Sequence, residues 1–132
     1  MKKNLILLSL LTSALLAGCT SKPSESDAKK IIEAAVAKNS RGAIKVTSFA
    51  KTDGVEFELM GMKGYEMTWK GTFQVTQTKH VNTSNFCASD RPSFHKKYEA
   101  GQTFEKKGTV TFQKTENGWK GSYSDGLGCY FG

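Results

Sequence analysis

The spacing of apolar residues changes character three times along the chain. Residues 5–16 form an apolar block broken only by Ser9, Thr12 and Ser13, with Lys2 and Lys3 in front of it. Ala28, Ile31, Ile32, Ala35 and Val36 then recur at i, i+3, i+4, i+7 and i+8, which predicts one apolar face on a helix of about three turns. Ser24 or Ser26 can cap its start, Glu25 and Asp27 suit the positive end of its dipole, and Lys38 and Arg41 suit the negative end. Gly42 can supply a left-handed stop. From Ala43 onward the period is two. Residues 43–50 read as a strand, and the Asp53-Gly54 pair reads as a turn into a second strand carrying Val55, Phe57 and Leu59.

The clearest alternation covers residues 64–78, where Tyr65, Met67, Trp69, Gly71, Phe73 and Val75 interleave with polar side chains. A strand of that length needs a bend, and Gly71 is the expected place for it. Residues 103–115 repeat the pattern with Phe104, Val110 and Phe112, and Asn117-Gly118 turns the chain into a last strand of Trp119, Gly121 and Tyr123. One helix followed by about five antiparallel strands predicts an α+β fold, the helix lying across a curved sheet, with the order found in cystatin-like and NTF2-like folds. The interval from His80 to Gln102 lacks a strand period and reads as a long loop, a type of segment often used for binding. It holds His80, Phe86, Arg91, Phe94, His95 and Tyr98, the candidate binding residues, beside the C-terminal D-G-L-G-C-Y-F-G.

The first apolar block is too short for a membrane span, which takes about 20 residues. A basic start, a short apolar core and small residues at its exit are the parts of a secretory signal. It closes as L-L-A-G-C, residues 15–19, and this closely resembles the lipobox of bacterial lipoprotein precursors. The resemblance implies cleavage after Gly18, a diacylglycerol on the Cys19 thiol and acylation of the new amino terminus. The chain then divides into a signal peptide at 1–18, an acylated anchor and tether at 19–25, and one globular domain at 26–132. Thr20 stands where an aspartate would resemble the inner-membrane retention signal of enterobacteria, so the outer membrane is the expected address. Lys106 to Trp119, K-K-G-x-V-T-F-x-K-T-E-x-G-W, is similar to a group of small uncharacterised bacterial envelope proteins, a likeness that brings no activity with it.

With Cys19 acylated, Cys87 and Cys129 remain, and in an oxidising compartment an even pair reads as one disulfide. Loss of Lys2 and Lys3 with the signal lowers the formal net charge from +7 to +5. An exported protein with that charge is expected to meet an envelope protein, anionic lipid or lipopolysaccharide rather than nucleic acid. There is no G-x-S-x-G, H-E-x-x-H, Walker loop or G-x-G-x-x-G. His80, Cys87, Asp90 and His95 match no zinc-finger spacing. The expectation is a non-enzymatic lipoprotein without cofactor or metal that binds or shields another envelope component. An inhibitor or exclusion protein, acting on an incoming enzyme, toxin or phage, and an assembly protein are the alternatives.

Overall fold

The computed structural model describes residues 21–92, 95–124 and 128–129. The acylation candidate Cys19 and the loop candidate Phe94 lie outside these residues. Helix α1 (Glu25–Ser40) is followed by β1 (Ile44–Leu59), β2 (Met62–Val75), β3 (Lys79–Asn82), β4 (Cys87–Ser89), β5 (Lys96–Tyr98), β6 (Thr103–Thr115) and β7 (Gly118–Ser122). The strands form a four-stranded antiparallel sheet in the order β1-β2-β6-β7 and a three-stranded one in the order β4-β3-β5.

Ser24 caps α1 through a reciprocal box. Its Oγ accepts from the Asp27 N–H at 3.2 Å, and the Asp27 carboxylate accepts from the Ser24 N–H at 2.8 Å. The Ser24 N–H bond foremost, and then one that the Ser24 hydroxyl donates to the same carboxylate at 2.9 Å, hold the Asp27 carboxyl below its ordinary range. At the other end Arg41, at φ 53°, already takes the left-handed conformation expected of Gly42, and Gly42 follows at φ 82°. The helix lays Ala28, Ile32 and Val36 against Tyr65, Met67, Trp69, Phe73, Val110 and Phe112. Ile32 and Val36 are fully buried, each worth roughly 1.5–3 kcal/mol. A disulfide between Cys87 and Cys129, with Cα atoms 5.6 Å apart, closes the end of the molecule beneath the helix C-terminus, where Cys129 Sγ lies 3.6 Å from the Asn39 carbonyl.

The turn expected at Asp53-Gly54 does not form. β1 runs through it, and the hairpin closes six residues later at Met60-Gly61, where both residues have positive φ, 51° and 78°. Asp53-Gly54 instead follows a β-bulge. Between Lys51↔Trp69 and Asp53↔Thr68, Thr52 has no partner in the ladder, and between Val46↔Phe73 and Ser48↔Thr72 the same is true of Thr47. Each extra threonine is tied across to β2: Thr47 Oγ1 donates to the Thr72 carbonyl at 3.1 Å, and the Thr52 and Thr68 hydroxyls meet at 2.9 Å. The irregularity expected at Gly71 thus belongs to its partner strand. A Cβ at Gly71 would stand 3.0 Å from the Ser48 carbonyl oxygen, so the glycine makes room for the bulged chain opposite.

Each bulge reverses which parity faces the helix. Val46 faces it before the first, Phe49 after it, and beyond the second Gly54 and Glu56 take that side opposite Met67 and Tyr65. Val55, Phe57 and Leu59 consequently point to the sheet face that α1 leaves bare.

Candidate functional site

The interval read as a loop contains a sheet, because β3, β4 and β5 pair tightly within it: His80 stands between Ser89 and Lys97, and Val81 between Ala88 and Lys96. Strands of three and four residues are too short to display a period. The loop candidates are dispersed by this arrangement. Phe86 is fully buried, at φ 61°, with its ring 4.7 Å from Phe73 and 6.3 Å from Phe104, so it is a core residue and presents nothing to a ligand. Tyr98 is half-buried in β5 with its ring 5.7 Å from Phe104, and Lys96 covers its other side. Arg91 is exposed just after β4, where its N–H is held by Ser89 Oγ at 3.1 Å. His95 precedes β5, with a buried Nδ1 that has no partner among the described residues. Asp90, beside these, binds Lys79 at 2.6 Å, and that hydrogen bond lowers its pKa. No group of three or more potential metal ligands occurs among the described residues.

The feature with the form of a site lies elsewhere, on the uncovered face of the four-stranded sheet. Register brings two rows across three strands. Ser48, Thr72 and Glu105 make one row; Ala50, Lys70 and Lys107 make the next. The small side chains of Ser48 and Ala50 leave an open groove of about 620 Å³ beside the longer ones of β2 and β6. Lys70 and Lys107 are directly paired across the ladder, an arrangement of like charges that opposes pairing. Neither forms an ion pair with a carboxylate among the described residues. Lys106, on the other parity, turns inward and sits over the Phe86 ring at 5.2 Å.

Such a groove offers two adjacent ammonium groups, the Ser48 and Thr72 hydroxyls, and one carboxylate at its margin. It can hold an anion by charge-assisted hydrogen bonds. Its lining includes no histidine or cysteine to act as nucleophile or base. Alternation in the sequence already placed Lys70 and Thr72 on the polar parity of β2. Their neighbours Ala50 and Ser48 could not be named without the Thr47 bulge, which sets the register.

The far end of the same face is apolar. Among the described residues, the exposed large hydrophobic side chains are Val55, Phe57, Leu59, Met60 and Met62, all within one eight-residue hairpin end. No protein-family model, curated protein or solved structure matches this chain.

Proposed function

We propose that this chain is a lipid-anchored, non-enzymatic envelope protein that uses the groove of its uncovered sheet face to bind an acidic group of another envelope component. The observation that carries the reading is the Lys70–Lys107 pair, placed side by side next to the small Ser48 and Ala50 and without carboxylate partners among the described residues. An anion seated between them would relieve a repulsion that the folded chain otherwise retains. The L-L-A-G-C run at 15–19 supports attachment through Cys19, and Thr20 favours the outer membrane. The disulfide agrees with an oxidising compartment.

Crosslinking in intact cells from a photoreactive residue at Thr72 tests the reading, with wild type, Lys70→Gln/Lys107→Gln and Cys19→Ala compared. Wild type should trap one component, phosphate-bearing or carboxylate-bearing as its composition reveals, the lysine variant should lose it, and Cys19→Ala should lose both it and palmitate labelling. A product unaffected by the two lysines would contradict the groove; palmitate labelling that survives Cys19→Ala would contradict the anchor.

A further inference from the structure

We infer that the apolar tip of the β1–β2 hairpin is a second membrane contact, which enters the headgroup layer of the bilayer that holds the acylated Cys19. The inference rests on the anchor reading above, and three observations on the page lead to it.

The tip has a composition that water does not select. Met60 is 92% exposed and sits in the left-handed region, a backbone conformation that Asn, Asp or Gly adopts at lower cost. Val55, Phe57, Leu59 and Met62 flank it on one face, with Phe57 lying across Gly64, which has no side chain to obstruct the ring. Glu56, Glu58 and Lys63 occupy the opposite face. The turn beside it serves as a control within the molecule. Glu116 and Asn117, between Thr115 and Gly118, close β6–β7 at the same end of the sheet with polar residues.

The second observation is where the described chain begins and which way it is heading. From the start of α1, the Glu25 carboxylate accepts the Lys51 N–H at 2.9 Å. Proceeding toward the amino terminus, Lys22 Nζ lies 3.6 Å from Glu56, five residues farther toward the tip. The Ser21 carbonyl accepts from Trp119 Nε1 at 2.8 Å, and Trp119 pairs with Lys114, beyond the Gly64–Gln113 rung. The stretch read as a tether is therefore laid along the sheet, with Pro23 buried. Cys19 is two residues from Ser21 and reaches at most about 7 Å from it. Met60 is four residues past Glu56, about 14 Å. The acyl chains and the apolar tip thus belong to the same end of the protein.

The third is the contrast with the opposite end. Disulfide, helix C-terminus and small sheet lie there, and among the described residues none of the exposed large hydrophobic side chains does. Once acyl chains hold the protein, a tip of five apolar side chains adds orientation more than affinity. Lys70, eight residues up β2 from Met62, then stands about 27 Å from the tip, at a distance from the anchoring bilayer's surface.

The test uses the full acylated chain bearing Met60→Trp, with Met62→Trp as a second variant, in phosphatidylethanolamine–phosphatidylglycerol vesicles containing brominated acyl chains. Emission in excess of wild type, which carries Trp69 and Trp119, should be quenched about twofold relative to unbrominated vesicles. Unquenched excess emission from both variants, in a chain that incorporates palmitate, would overturn the tip and leave the anchor. Quenching in a chain that incorporates none would keep the tip and remove the anchor. Shielding that follows protein concentration instead of lipid would assign the surface to a second copy and overturn the inference.

Discussion

β1 carries two apolar halves that are treated in opposite ways. In the first, Ile44, Val46 and Phe49 face α1, and Phe49 stacks on Trp69 with ring centroids 5.3 Å apart. In the second, Val55, Phe57 and Leu59 are at least two-fifths exposed on the other face. Phe49 and Phe57 share a parity and would share a face in a regular strand. One unpaired residue, Thr52, separates them. The difference teaches that a bulge can take a hydrophobic period intended for a core and direct it outward, which creates an apolar surface without any change in composition.

The largest effect that sharpens this contrast is truncation in the covered half. Trp69→Ala should lower stability by about 3–5 kcal/mol in denaturant unfolding, since the ring is fully buried among Phe49, Phe73 and Tyr123. Leu59→Ser, in the exposed half, should stay within about 0.5 kcal/mol. Deletion of Thr52 would join Lys51 directly to Asp53, keep every remaining pair with β2 and leave Val55, Phe57 and Leu59 on the bare face in a regular ladder. The unfolding free energy should then change by less than about 1 kcal/mol with Phe57 still open to solvent, while a loss of more than about 2 kcal/mol would mean that the distal half had changed face.

A smaller effect concerns the cap that aims residues 21–24 along the sheet. Asp27 has a lowered pKa in the folded state, so its contribution is present above the unfolded carboxylate value and is lost as pH falls through the folded one. The α1 start should weaken below about pH 4, and Asp27→Asn should remove that acid dependence at a cost near 1 kcal/mol at neutral pH. Thermal melts of the two proteins across that range provide the check. Smallest of all, Met60→Asn should raise stability by a few tenths of a kcal/mol, because Asn suits a left-handed, water-facing turn better than Met does.

Much of the helical and long-strand layout is legible because those segments are long enough for their periods to be counted. The alternation from Tyr65 to Val75 is in this class, whereas the sequence leaves the cap open between Ser24 and Ser26 and the structure places it at Ser24. The Met60-Gly61 turn is not, since its sequence lacks the Asn or Asp that usually marks such a loop, while Asp53-Gly54 shows that mark and serves a bulge instead. β3, β4 and β5 escape notice because each is too short, and Phe86 misleads because an aromatic side chain in a polar interval can still turn into the core. The groove depends on cross-strand neighbours, so Ala50, Lys70 and Lys107 become a set only when Thr47 fixes the register. The segment that resembles a lipobox is the reverse case: its sequence pattern is explicit, but it lies outside the described residues.

The central claim, that the Thr52 bulge presents the distal half of the hairpin outward, is tested most directly by methionine oxidation. In Cys19→Ala protein treated with dilute peroxide and mapped by mass spectrometry, Met60 and Met62 should oxidise rapidly while Met67, buried five positions farther up β2, is spared until unfolding. Oxidation of Met67 at the rate of Met62, or protection of Met60 in the folded, lipid-free chain, would contradict the account.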